Sequence, residues 1–465
     1  GDRFFYYTYT EFNNEIRPGW PGKDEFSYDT WEGSPHWYDR EDGHEYRLTQ
    51  YEDLRFLGLR RALKHLDLAL VDTDAALLPD LSGLTVLEDV YLSDCSISDL
   101  EWLRGARIMN YEQHRCPITD YSPLTDCTRL ERVNLDLYGV EAADLSGFCP
   151  PALAWLTLEN AGGLAGGGIA SLGDCEKLIE VSLSYMPVQD LSFLDGCRHL
   201  KRLYLDNLDR LRDVSVLQSQ GELTQLQIEY CDRLTDYAPI AGCESLISIM
   251  IHCDGNPTAL RDASFLRGLS NLNDIHLYSC SLYNLDFLES FADRRDLKLG
   301  FAGDIGDYSG LAAVPHYAYL HVNPANGNYA AVEPYLENCV IDELMLYECR
   351  DVDLAALPQV NKTLSLVRGN LVDLTGLPAL SIDRLQLDQQ QHLTSLAGIE
   401  NLTRLGRNGA GTLEIWDCVR LTDWSTIEEM SFDELSLTGQ YTLPAFDSLH
   451  FHTLRLESIV DLEDL

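Results

Sequence analysis

Seven residues able to hold a ligand recur at matched positions of one sequence pattern: His252, His276, Tyr278, Tyr319, His321, Met345 and Tyr347. An imidazole can donate and accept hydrogen bonds. Tyr and Met bring apolar surface of the kind enriched at the centres of protein interfaces. Earlier in the chain the outermost of these positions carries Asp136, Glu159, Asp206 and Glu229. Carboxylates together with aromatics and histidines would suit a ligand with a positive end. The competing reading is structural, with the aromatics packing sideways on one another to stiffen a sheet.

Catalytic patterns are thin. The chain has no C-x-x-C, no H-E-x-x-H and no P-loop lysine. The run Gly162 to Gly168 reads as a loop rather than a phosphate cradle, because no G-K-[ST] follows it. His450-Phe-His452 could place two imidazoles on one strand face, yet ordinary strand alternation explains that spacing as well. No enzyme activity, metal or other cofactor is expected.

The elements that position the seven residues are repeats. In LTQLQIEYCDRLTDYAPIAGCESL (Leu223 to Leu246), apolar residues stand at offsets zero, three and five, Cys231 at offset eight, and the pattern restarts at Leu246. About eighteen such units recur, at spacings within the roughly 20–29 residues of this repeat class. Clear starts are Leu63, Leu87, Leu130, Leu153, Leu178, Leu200, Leu223, Leu246, Leu272, Ile341, Ile382, Phe432 and Phe451. Weaker ones are Ile108, Arg294, Tyr317, Asn361 and Ala410. Leu226 and Ile228 lie two apart, so a strand points both to one face and turns Gln225, Gln227 and Glu229 to the other. One short strand cannot bury its face alone, whereas stacked parallel units form a continuous apolar column. The second half of each unit (ISDLEWL, ITDYSPL, VQDLSFL, LTDYAPI) turns the chain back and leaves room only for short helical or 3₁₀ turns. Offsets two, four and six then form outward columns, and His252 to Tyr347 would span four strand spacings, about 19 Å.

This register resembles the leucine-rich repeat family, and ITDYSPL and LSFL are similar to short bacterial internalin-like repeats. The resemblance covers Leu63 to Leu465. It implies a curved α/β solenoid with a parallel β-sheet on the concave face, short turns on the convex face, and non-catalytic recognition of a protein or peptide through the concave face. A cell-surface adhesin or carbohydrate-binding protein is the alternative. Cysteine stands at offset eight in several units (Cys95, Cys116, Cys231, Cys280, Cys349, Cys418), as in the cysteine-containing subtype, and Gln113 replaces a core leucine. Cys127, Cys175, Cys197 and Cys243 each precede a unit start by three residues. That periodicity indicates a buried ladder, so all thirteen cysteines are expected as free thiols.

Residues 1–62 differ from the rest. Phe4, Phe5, Tyr6, Tyr7, Trp20, Trp31 and Trp37 are scattered among turn residues, as expected of a cap over the first layer of an array spanning 63–465. A platform for sugars or peptides is the second reading of those aromatics. Thr49 and Glu52 form a capping-box pair that predicts a short helix before Leu63. The net charge of −41, from 75 acidic and 34 basic residues, disfavours phosphate backbones and anionic lipid and favours a basic partner. No apolar run approaches the roughly 20 residues of a membrane span. The start at Gly1-Asp2 suggests a trimmed chain, and localisation stays open: free cysteines favour the cytoplasm, while the internalin resemblance favours the cell surface.

Overall fold

A computed structural model describes residues 2–7, 26–31, 34–39, 44–47, 55–59, 61–69 and 77–459, apart from 141, 165–168, 408, 409, 429 and 441. The chain divides into two compact units, Gly1–Cys243 and Glu244–Leu465.

The first unit begins with β1 (Asp2–Tyr7), β2 (Phe26–Trp31), β3 (Ser34–Asp39) and β4 (His44–Arg47). β1 runs parallel to β2, and β2, β3 and β4 pair antiparallel in turn. A 3₁₀ turn, Arg55–Leu59, precedes β5 (Leu63–Ala69), which pairs in parallel with β1. Seven more repeat strands follow: β6 (Asp89–Ser93), β7 (Asn110–His114), β8 (Arg132–Asp136), β9 (Trp155–Glu159), β10 (Glu180–Ser184), β11 (Arg202–Asp206) and β12 (Gln225–Glu229). The predicted capping pair and the aromatic side chains of residues 1–54 lie outside the described side chains.

The second unit contains ten repeat strands among the described residues: β13 (Ser248–His252), β14 (Asp274–Cys280), β15 (Leu297–Gly303), β16 (His316–Pro324), β17 (Val340–Tyr347), β18 (Gln359–Val367), β19 (Arg384–Asp388), β20 (Thr412–Trp416), β21 (Ser431–Thr438) and β22 (His450–Glu457). Within each unit every repeat strand is parallel to the next, with like offsets paired. Leu203 and Leu205 face Leu226 and Ile228, and Leu385 and Leu387 face Leu413 and Ile415.

The burial pattern follows the alternation of the sequence. Leu226 and Ile228 are each 1 % exposed, while Gln225, Gln227 and Glu229 are half-buried. Ordering a five-residue strand costs roughly 5–10 kcal/mol of backbone entropy. Two buried leucine-type side chains return about 3–6 kcal/mol. A lone repeat therefore stays unfolded, and the ladder forms only because each strand also covers its neighbours.

Short 3₁₀ turns such as Ser192–Leu194, Ser215–Ser219 and Ser264–Leu266 occupy the second half of the repeats. Their aspartates explain the D-x-S phrase. Backbone N–H groups of Ser192, Ser215, Ser264 and Ser309 donate to Asp190, Asp213, Asp262 and Asp307, two residues earlier, at 2.7–2.9 Å. Each carboxylate thereby satisfies an orphan donor at the turn's start.

Offset seven carries a feature that composition does not reveal. Asp94, Arg115, Asn160, Tyr185, Asn207 and Tyr230 all have φ between 50° and 54°. This left-handed residue aims the following side chain back inside, where Cys95, Cys116, Ala161, Met186, Leu208 and Cys231 are each at most 3 % exposed. Cysteine suits the position because its thiol is small and can donate weakly to a carbonyl. Cys95 Sγ lies 3.0 Å from Leu68 O, and Cys280 Sγ 3.1 Å from Tyr278 O.

Gln113 occupies the leucine column as expected, fully buried. The Tyr111 hydroxyl donates to its Oε1 at 3.0 Å, and its Nε2 lies 3.0 Å from the Tyr121 hydroxyl and 3.3 Å from Cys116 O.

Three expectations need correction. Cys149 and Cys175 are joined, with Cα atoms 5.5 Å apart, so free thiols hold for the other eleven cysteines only. Register alone missed the pair because Cys149 stands off the periodic positions. The repeat placed at Arg294 starts at Leu297: Leu297 pairs with Tyr317, and Leu299 and Phe301 pair with Ile275 and Leu277. The longer 3₁₀ turn Asp286–Phe291 absorbs the added residues. The repeat placed at Asn361 starts one residue earlier, at Val360, which pairs with Ile341 ahead of a register shift.

Candidate ligand-binding face

The seven predicted residues all lie in the second unit, on four strands. His252 ends β13, His276 and Tyr278 are on β14, Tyr319 and His321 on β16, and Met345 and Tyr347 on β17. Each is half-buried, as an outward side chain is when its neighbours on adjacent strands lean against it.

The structure brings all seven into one contiguous cluster. Ring centroids lie 6.2 Å apart for His252 and Tyr278, 5.5 Å for His276 and Tyr278, and 6.4 Å for His276 and Tyr319. They lie 5.5 Å apart for Tyr278 and His321, and 5.9 Å for His321 and Tyr347. The Tyr319 hydroxyl points at Met345 Sδ, 3.7 Å away. These tilted and edge-on contacts fall in the range where aromatic pairs add about 0.5–1.5 kcal/mol beyond area burial.

Three participants were hidden in the sequence. Asp274, at offset two of β14, lies 2.9 Å from His276 Nε2. The bond from His276 is the main force holding the Asp274 carboxyl below its ordinary range, assisted by Ser248 and Lys298. Gly300 sits outward on β15, opposite His276, and the misplaced repeat start concealed it. A Cβ there would come within 2.5 Å of His276 Nδ1 and 2.6 Å of the Tyr278 hydroxyl. The bare glycine thus leaves the space in which β14 and β16 side chains meet across β15. Arg368, just past β18, donates to the Tyr347 hydroxyl at 2.6 Å, with its guanidinium 5.4 Å from that ring's centroid.

Burial raises the Tyr278 hydroxyl above its ordinary pKa, with Tyr319 and Asp274 adding to the effect. A hydroxyl so held is a hydrogen-bonding group and not a nucleophile. Burial lowers His321 to about 4, assisted by repulsion from His276.

The acidic residues singled out at offset six, Asp136, Glu159, Asp206 and Glu229, end β8, β9, β11 and β12 of the first unit. Asn160 Nδ2 donates to Asp136 at 2.8 Å. His450 and His452 are exposed on β22, with His452 Nδ1 3.6 Å from Asp433. Among the described residues no group of three or more His, Cys, Asp or Glu is arranged to hold a metal ion. No helix there is long and apolar enough to cross a membrane.

No family model matches the chain, and no curated protein matches it. Among solved structures it is similar to an internalin from Listeria monocytogenes, at 17 % identity and a TM-score of 0.45, covering 78 % of this chain and 86 % of that one. TLR13 in complex with single-stranded RNA is similar at 15 % identity and a TM-score of 0.46, covering 86 % and 75 %. A further L. monocytogenes internalin, described as including a cysteine ladder, is similar at 15 % identity and a TM-score of 0.30, covering 79 % and 62 %. The assignment rests on the chain's own repeat register, its strand ladders and the inward offset-eight side chains. By those features each of the two units has the fold of a leucine-rich repeat array, with cysteine-containing repeats.

Proposed function

We propose that the chain is a non-catalytic recognition module that binds a protein or peptide through the outward strand face of its second unit. The observation that carries this reading is the contiguity of His252, His276, Tyr278, Tyr319, His321, Met345 and Tyr347 across β13–β17. Outward positions of a repeat array are free to vary without touching the core, so a run of aromatic, imidazole and thioether groups there is best explained by a ligand. The net charge of −41 favours a basic partner and opposes nucleic acid.

The test is an unbiased pull-down with the intact chain as bait, repeated with His276, Tyr278 and Tyr347 changed to Ala. A polypeptide retained by the wild type, released by salt and lost from the folded triple variant supports the proposal. Unchanged retention by the variant rejects the face. Glycan-array binding without polypeptide capture would replace the proposal with a carbohydrate-binding one.

A further inference from the structure

Four side chains at the centre of the face form one hydrogen-bonded row. Asp274 Oδ1 lies 2.9 Å from His276 Nε2, His276 Nδ1 lies 2.7 Å from the Tyr278 hydroxyl, and that hydroxyl lies 3.3 Å from His321 Nδ1. The row ends at His321 Nε2, which is buried and has no partner among the described residues. It can cross β15 because Gly300 places no side chain in its path.

Counting protons along the row leaves two complete patterns. The Asp274 carboxylate only accepts, so His276 Nε2 carries hydrogen. Tyr278 keeps its hydroxyl proton and has one hydrogen to give. With His276 neutral, its Nδ1 accepts from Tyr278, the Tyr278 oxygen accepts from His321 Nδ1–H, and His321 Nε2 is left as a bare acceptor. With His276 an imidazolium, its Nδ1–H donates to the Tyr278 oxygen, Tyr278 donates to His321 Nδ1, and His321 Nε2 carries hydrogen.

The two patterns differ by one proton. With the added proton counted at His321 Nε2, the Nδ1 proton of His321 moves onto Tyr278, whose own proton passes to His276 Nδ1. The charge comes to rest on His276, facing Asp274. Burial makes His321 the poorer place for it. The other titratable or charged groups around the row are His252 on β13, Lys298 on β15, Tyr319 on β16, and Glu343 and Tyr347 on β17.

We propose that Asp274, His276, Tyr278 and His321 form a two-state proton relay that reverses the direction of hydrogen bonding along the row and couples the tautomer of His321 to the charge of His276. His321 Nε2 is an acceptor when His276 is neutral and a donor when His276 is an imidazolium.

The test uses the full chain without ligand. Nitrogen-15 NMR of labelled histidines, followed from about pH 8 to about pH 5 where histidines titrate, reads each ring's tautomer, with His276→Gln and His321→Gln assigning the signals. The expected result is His321 in the Nδ1–H form at high pH, changing to Nε2–H as His276 takes its proton. Tyr278→Phe should keep the fold and abolish the change. His276→Gln should leave His321 insensitive to pH, which keeps the test valid if the tyrosine variant unfolds. His321 in the Nε2–H form throughout, or a change that persists in either variant, overturns the relay. Either result leaves the recognition proposal standing, and failure of the pull-down leaves the relay standing.

Discussion

Replacing Gln113 by Leu restores the consensus residue of its column and is nevertheless expected to destabilise the first unit. Gln113 is fully buried, and its Oε1 is the acceptor for Tyr111, itself 1 % exposed. In Gln113→Leu the Tyr111 hydroxyl is left dry and unpaired, at a cost of about 1–3 kcal/mol. Tyr121 is less affected, because its hydroxyl keeps Ile118 O at 3.2 Å. Leucine recovers part of the loss by removing a buried amide, so a net destabilisation of about 1–2 kcal/mol is expected. Adding Tyr111→Phe removes the orphaned hydroxyl and should bring the double variant close to wild type. The double-mutant cycle should therefore give a coupling of about 1–2 kcal/mol. Urea denaturation checks this by the shift in midpoint at constant m-value. A Gln113→Leu variant more stable than wild type, or a cycle with no coupling, would refute the reasoning.

Gly300→Ala should preserve the fold, because the atoms its Cβ would strike are the ends of the His276 and Tyr278 side chains. Their bond should break, weakening partner binding about tenfold for roughly 1.4 kcal/mol; calorimetric affinity equal to wild type would count against the geometry. The D-x-S aspartates predict an acid-side loss of stability. Bonds from Ser192 and Ser425 hold Asp190 and Asp423 below the ordinary carboxylate range, so their contribution is full above an unfolded value of about 4 and fades as pH falls through the folded one. Relief of the overall negative charge acts on wild type and variants alike, so Asp190→Asn and Asp423→Asn should narrow the difference between denaturation midpoints at neutral and acid pH. An undiminished difference argues against these bonds. Thiol titration of the denatured, unreduced chain should find the eleven free cysteines, and recovery of thirteen would exclude the Cys149–Cys175 link.

The sequence by itself determined the repeat, its strand positions and the outward candidates, because strand alternation is local. Leu226 and Ile228 must share a face whatever surrounds them. It also singled out Gln113 as the intruder in the leucine column. It missed the left-handed backbone at offset seven, since Asp, Arg, Asn, Tyr and Ser all occupy it and no residue type marks it. It missed the start at Leu297 because Leu297 and Leu299 match the two strand offsets as well as Leu299 and Phe301 do. Only the pairing of β15 with β14 and β16 decides between them. That decision sets Gly300 opposite His276 and lets Tyr278 reach His321, 43 residues along the chain. Lateral contacts of this kind depend on how intervening turns absorb extra residues. The repeat therefore wrote the scaffold and its candidate face into the sequence, while the stacking of strands decided which side chains bond to one another.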